Sequence, residues 1–256
     1  MVNLLVFIFG LVIGSFLNVC IYRMPRSESL VFPGSRCVSC KKPVLWYDNI
    51  PLLSYVLLRG KCRSCKARIS ARYFFVELIS AISFLVLFAN FGFNYIFWIY
   101  SLLAFNLIVV TFIDLEFQLI PDSISLVGIF LGIILSVIFP GLQGVFTWQR
   151  GLLNSILGAI AGGGLIYLTG VLGKLAFKKD SMGGGDVKLM AMLGAFLGWK
   201  IAILIFFLAP FFGAPIGIYV KFVKKEDIIP YGPYISLAGF VAMIWGNKIL
   251  SLFLNL

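Results

Sequence analysis

The chain has 256 residues, 61% of them hydrophobic and only 12% charged, with a mean hydropathy of +1.04 and a formal net charge of +11. A water-soluble domain carries about twice that charged fraction, so the apolar excess, which comes in long runs, points to a bilayer rather than to an enlarged core. Histidine is absent. That excludes Ser/His/Asp triads, Cys/His dyads, HExxH zinc hydrolases and Ser/His pairs, and leaves carboxylates, lysine or a metal without imidazole ligands for any hydrolysis.

Apolar runs of spanning length are predicted at 2–22, 73–92, 94–113, 122–139, 151–173, 201–220 and 231–253, with a shorter or partly re-entrant one at 188–199. The expected fold is therefore an all-α polytopic membrane protein of about eight transmembrane helices. If the segment after the first span is cytoplasmic, the inside loops 23–72, 174–188 and 221–230 hold 11, 4 and 3 Lys+Arg, or 18 of the 21, and only Arg150, Lys200 and Lys248 lie outside. This is the positive-inside pattern, so the basic charge reads as topology rather than as a nucleic-acid surface. The first span has no basic residue before it and is followed by the basic cluster, which reads as an uncleaved anchor. Three parts are expected: a first helix 1–22, a small cytoplasmic cysteine-bearing domain 23–72, and a seven-helix membrane domain 73–256.

Four of the five cysteines form two CxxC pairs, Cys37-Val-Ser-Cys40 and Cys62-Arg-Ser-Cys65, inside the long loop. Four thiolates at this spacing suit a tetrahedral zinc site with no open position, hence a structural one; a rubredoxin-like iron is the chemical alternative. A reducing cytoplasm argues against the disulfide reading. Cys20, in an apolar run, reads as a buried, inert thiol.

Acidic residues beside apolar spans are costly, and Glu77, Asp114, Glu116, Asp122, Asp180 and Asp186 fall there. Asp114 closes the third span and Asp186 follows three glycines in Met182-Gly-Gly-Gly-Asp-Val-Lys188, both at the cytoplasmic edge in this topology. Two carboxylates sharing one proton form an aspartic-protease centre, one activating water while the other polarises the scissile carbonyl. The plainer reading, helix caps and loop solvation, stands beside it. Asp122, after Pro121, is expected to be an N-cap, Glu77 to pair with a basic residue of the first loop, and Lys188 to be a positive-inside anchor or a bias on the carboxylates. The glycines are expected to bend the backbone and let a substrate chain approach.

Four stretches together carry a resemblance over nearly the whole chain: Gly14-Ser-Phe-Leu-Asn-Val-Cys-Ile-Tyr-Arg-Met-Pro25; the CxxC pairs enclosing Asp48-Asn-Ile-Pro-Leu-Leu-Ser54, followed by Ile69-Ser-Ala-Arg-Tyr73; Ile113-Asp-Leu with Ile120-Pro-Asp122; and Gly183-Gly-Gly-Asp-Val-Lys188, which fits a GxGDxK motif. In these the chain resembles the type IV prepilin peptidases. The resemblance implies catalytic Asp114 and Asp186; Gly183, Gly185, Lys188 and Asp122 are expected to support that site. It further implies cleavage of prepilins or pseudopilins after the leader glycine at the cytoplasmic side of a bacterial inner membrane, and N-methylation of the new terminus from S-adenosylmethionine. No motif for that cofactor is visible in 23–72. The alternatives are a protease without the methyl transfer, a non-enzymatic membrane scaffold for pilus or secretion assembly, or an ion path, which the absence of midspan charge disfavours.

Overall fold

A computed structural model describes residues 1–178, 182–219 and 229–254. Asp180 lies outside them. Nine α-helices run through the described residues: α1 (Val2–Arg23), α2 (Leu53–Leu57), α3 (Arg72–Phe91), α4 (Tyr95–Phe117), α5 (Asp122–Ile138), α6 (Trp148–Phe177), α7 (Gly184–Leu197), α8 (Trp199–Tyr219) and α9 (Gly232–Leu254). Six of them, α1, α3, α4, α6, α8 and α9, are long and apolar enough to cross a membrane, and α5 is apolar but shorter. The chain divides into two compact units, Met1–Val109 and Val110–Leu256.

In the first unit α1 and α3 run antiparallel in close contact. A side chain at Gly10 would meet the Ala81 backbone at 2.7 Å, one at Gly14 would meet the Glu77 backbone at 2.7 Å, and Asn18 Nδ2 donates to the Tyr73 carbonyl at 3.0 Å. Small residues every fourth position let two backbones approach and gain dispersion contacts that lipid cannot match. Cys20 is buried beside them, as expected.

The segment between α1 and α3 carries two copies of one turn, offset by 25 residues. Cys37 N–H donates to Lys42 O and Lys41 N–H to Cys37 O; Cys62 N–H donates to Ala67 O and Lys66 N–H to Cys62 O. Isolated bridges Arg36–Pro43 and Lys61–Arg68 close the two turns, and Lys41 and Lys66 both have φ near +60°. Arg63 binds Asp48 through two nitrogens, at 2.7 Å from Nε and from a terminal nitrogen. That pairing holds the Asp48 carboxyl below its usual range, chiefly through the hydrogen bond, partly offset by desolvation and helped least by the Arg63 charge.

In the second unit α7 is the central element. Its residues Leu189, Met190, Met192, Leu193 and Ala195 are essentially inaccessible. On one side Gly158 and Gly162 of α6 lie against the backbone of α7 at Gly194 and Met190; on the other, Gly128 and Gly132 of α5 lie against Met192 and Phe196. With 14 residues α7 is about 21 Å long, too short for a hydrocarbon core of about 30 Å, as the short apolar run foretold. It stops at Gly198, whose φ of +81° turns the chain directly into α8. At this end Ala195 O accepts from three buried or half-buried donors: Ser155 Oγ at 2.7 Å, Gln143 Nε2 at 3.0 Å and Ser136 Oγ at 3.2 Å. They satisfy a carbonyl near a helix C-terminus that would otherwise be orphaned.

Candidate active site

The site is built within the second unit, where the end of α4, the turn 118–121 and the starts of α7 and α9 meet. Asp114 is 5% exposed, and its Oδ2 accepts from the Gly232 N–H at 3.0 Å. Gly232 is the first residue of α9, so this carboxylate sits at a helix N-terminus, where free N–H groups and the helix dipole favour negative charge. Asp186 is the third residue of α7, and its Oδ2 accepts from the Gly183 N–H at 3.1 Å while its own N–H donates to Gly183 O at 3.1 Å. It too rests on a helix N-terminus.

Ile120 joins the two halves. A Cβ on Gly185 would come within 2.9 Å of Ile120 Cβ, and one on Gly232 within 3.3 Å of Ile120 Cδ1 and 2.7 Å of Asp114 Oδ2. The two helix starts thus converge on one buried isoleucine. Tyr231, just before α9, is pushed up to about 12, first by burial and then by the charge of Asp186. Asp114 and Asp186, 72 residues apart in sequence, are therefore brought together.

Several expectations change here. Asp122 is not an N-cap: Pro121 holds that position, Asp122 is the first helical residue of α5, and its Oδ1 accepts from Lys188 Nζ at 2.6 Å. Lys188 therefore ties α7 to the start of α5. Glu77 pairs with no basic residue among its hydrogen bonds; its Oε2 accepts from the Leu52 backbone N–H at 2.8 Å. The glycines before Asp186 do carry the turn into the helix, with Gly183 extended at φ −78°, ψ 148° and Gly184 already helical, without left-handed backbone. Gly185 is bare because Ile120 occupies the space its side chain would take, whereas a Cβ on Gly184 meets nothing within 4 Å. Glu116 is exposed.

Gly232, Ile120 and Tyr231 were not singled out from sequence. The Gly232-Pro233 pair opening an apolar run was the available signal, because a proline in the first helical turn marks a start whose N–H groups are free for a ligand or carboxylate.

The four paired cysteines form the second cluster, in the first unit. Their sulfurs all lie within 4.8 Å of one another, and Cys37 Sγ is 3.8 Å from Cys65 Sγ. A tetrahedron with zinc–sulfur bonds of 2.3 Å has edges of about 3.8 Å, so the four can hold one metal ion with little movement. The Cys40 backbone N–H foremost, against some desolvation, holds the Cys37 thiol down to about 6. For Cys65 the Ala67 N–H lowers, but desolvation and the other three sulfurs push it up to about 11.

Long apolar helices around two carboxylates held on converging helix starts define a polytopic membrane protein with a paired-carboxylate site. Known proteins narrow this. Residues 8–91 match the family described as Bacterial Peptidase A24 N-terminal domain, and residues 101–218 the Type IV leader peptidase family. Proteins named prepilin leader peptidase/N-methyltransferase from Pseudomonas putida, Stutzerimonas stutzeri and Aeromonas hydrophila are 34%, 35% and 36% identical, over 94%, 97% and 96% of this chain and 90%, 92% and 91% of their own lengths. No solved structure matches. The chain belongs to the type IV leader peptidase family.

Proposed function

We propose that this chain is a membrane aspartic endopeptidase that cleaves the leader of type IV prepilins or pseudopilins after its glycine, at the cytoplasmic face of a bacterial inner membrane, and methylates the new N-terminus. The observation that carries the reading is the convergence of Asp114 and Asp186 on Ile120, each held by a backbone N–H at the start of a different helix. The substrate of such an enzyme has a basic leader outside the bilayer and an apolar helix within it. A scissile bond at that boundary meets carboxylates at the ends of spans, not at their centres.

Asp114 and Asp186 act as one dyad sharing a proton. The ionised member takes a proton from water as that water attacks the carbonyl carbon of the leader glycine; the protonated member polarises that carbonyl and then donates its proton to the leaving amine of the next residue. The Gly232 and Gly183 N–H groups hold one oxygen of each carboxylate, leaving the others for water and substrate. Gly185 and the Asp122–Lys188 pair support this arrangement by fixing α7 against Ile120 and α5. Between α8 and α9 an open apolar groove of about 240 Å³, walled by Gly213, Ala214, Gly217, Tyr231 and Tyr234, has room for apolar side chains of a substrate beside Tyr231.

Cys37, Cys40, Cys62 and Cys65 would hold a structural zinc, whose four thiolates leave no position for substrate. S-adenosylmethionine supplies the methyl group when bound. The basic charge follows the positive-inside distribution of a polytopic membrane protein rather than a nucleic-acid surface.

The test is cleavage of a leader-plus-helix prepilin peptide in detergent, read by mass spectrometry, for wild type, Asp114→Asn and Asp186→Asn. Loss of cutting in both folded variants is expected. Full activity in a folded, metal-loaded Asp186→Asn protein would overturn the dyad and favour a scaffold role.

A further inference from the structure

The segment between α1 and α3 reads as a soluble loop, yet its middle is a nine-residue apolar run, Ile50-Pro-Leu-Leu-Ser-Tyr-Val-Leu-Leu58. Leu53, Val56 and Leu57 lie three and four residues apart on one side of the single-turn helix α2 and are 51%, 60% and 72% exposed. The opposite side is tied down: Ser54 is buried with its Oγ donating to Tyr47 O at 2.8 Å, and Tyr55 packs its ring on Phe74 at 5.7 Å between centroids. An apolar face is thus held outward by a polar and aromatic back.

Its depth can be measured against the spans. Gly14 contacts the Glu77 backbone, and Gly14 lies nine residues before the end of α1 at Arg23, about 13 Å inward along the axis. Glu77 Oε2 accepts the Leu52 N–H at 2.8 Å. A helical side chain leans toward its own N-terminus, which for α3 is the side where α1 ends, so Leu52 sits roughly 8–10 Å inside that end. This is the depth at which interfacial amphipathic segments bury their apolar face. Irregular backbone at such depth needs an internal partner for each N–H, and Glu77 provides one. The composition of the surroundings fits as well. Trp46, 80% exposed, and Tyr47 precede the run, and Arg59, Lys61 and Arg63 follow it. Aromatic and basic residues of this kind occupy the headgroup layer. Residues 23–72 carry 11 Lys+Arg against only Glu28 and Asp48.

We infer that residues 50–58 are a membrane-dipping foot: Leu53, Val56 and Leu57 insert into the acyl boundary of the leaflet where α1 ends, and the flanking basic residues contact acidic phospholipid headgroups. The foot rests on the membrane reading of α1 and α3, not on the proposed reaction. It also directs the basic charge of this segment toward lipid, where it does not oppose a basic leader.

The test places p-benzoylphenylalanine at Leu57, and separately at Val56, in the full chain reconstituted in nanodiscs of phosphatidylethanolamine and phosphatidylglycerol. Irradiation is followed by mass spectrometry of the adducts. Phe130, 67% exposed on the apolar helix α5, serves as the lipid-facing control, and Val38, 49% exposed between Cys37 and Cys40, as the water-facing one. Lipid adducts at Leu57 and Val56 are expected to match those at Phe130 and to stand well above those at Val38, since an inserted face meets acyl chains directly. Adducts no greater than at Val38 at both positions would overturn the inference and leave the segment in water. A prepilin adduct that replaces the lipid adduct when peptide is added would overturn it too, making the face a substrate dock.

Discussion

Replacing Gly232 by alanine tests the site without touching either aspartate. The added Cβ would stand 2.7 Å from Asp114 Oδ2 and 3.3 Å from Ile120 Cδ1, closer than carbon and oxygen tolerate without contact. Because the nearer atom is the free end of a side chain, the helix start can stay in place while the carboxylate swings away. That movement breaks the bond from the Gly232 N–H. A hydrogen bond to a charged group contributes about 1.5–3 kcal/mol, which as lost transition-state positioning is roughly 10- to 150-fold in kcat/KM. The assay is peptide cleavage followed by mass spectrometry, with thermal unfolding of the same sample as a check on the fold. Gly184→Ala is the internal control, since its Cβ meets nothing within 4 Å, and near wild-type activity is expected of it. A Gly232→Ala enzyme within twofold of wild type would refute the claim that this N–H holds Asp114. A Gly184→Ala enzyme as damaged as Gly232→Ala would show that bare backbone serves the substrate rather than packing.

Other consequences can be checked with similar economy. Lys188→Met or Asp122→Asn removes a half-exposed ion pair, so unfolding should shift by no more than about 1 kcal/mol, while cleavage falls several-fold and the swapped pair Asp122→Lys with Lys188→Asp recovers part of it. Cys62→Ser should lower metal content measured by elemental analysis, and leave cleavage by the separate carboxylate site less affected than metal binding. Metal uptake should release protons and weaken as pH falls toward about 6, where Cys37 itself gains a proton, a sign readable by titration in weak buffer. Gly10→Leu drives a side chain into the Ala81 backbone and should cost about 1–3 kcal/mol of stability, seen as a lower unfolding midpoint in detergent.

The spans were readable from sequence because a bilayer imposes a length that hydropathy reports directly, and α7 betrayed its shortness in the same way. Asp114 and Asp186 were singled out among six acidic residues beside spans only by the motifs around them, Ile113-Asp-Leu and Gly183-Gly-Gly-Asp, and their catalytic role stands as a proposal. Gly232 and Ile120 were not: one is a glycine among 26, the other an isoleucine in an apolar protein, and their roles arise only when two helix starts from distant segments converge. Asp122 was misread because a helix start after proline looks like a capping site, whereas Lys188, 66 residues later, decides what that carboxylate does. The exposed apolar face of 50–58 was not legible in the loop because nine residues cannot register as a span. Its anchor on Glu77 is a contact across 25 residues that no local pattern announces.

The three donors on Ala195 O make α7 a measuring rod. One end is pinned by Ser136, Gln143 and Ser155, and the other carries Asp186 nine residues away, about 13 Å along the axis. Its length therefore sets both the depth and the compass bearing of that aspartate. Inserting a single residue between Val187 and Ala195 would turn Asp186 through about 100° and carry it away from Asp114, while four extra residues would bring the bearing back to within about 40° but overshoot the depth by about 6 Å. A change of one or two residues in this rod would therefore carry Asp186 away from Asp114 rather than shift its depth gradually.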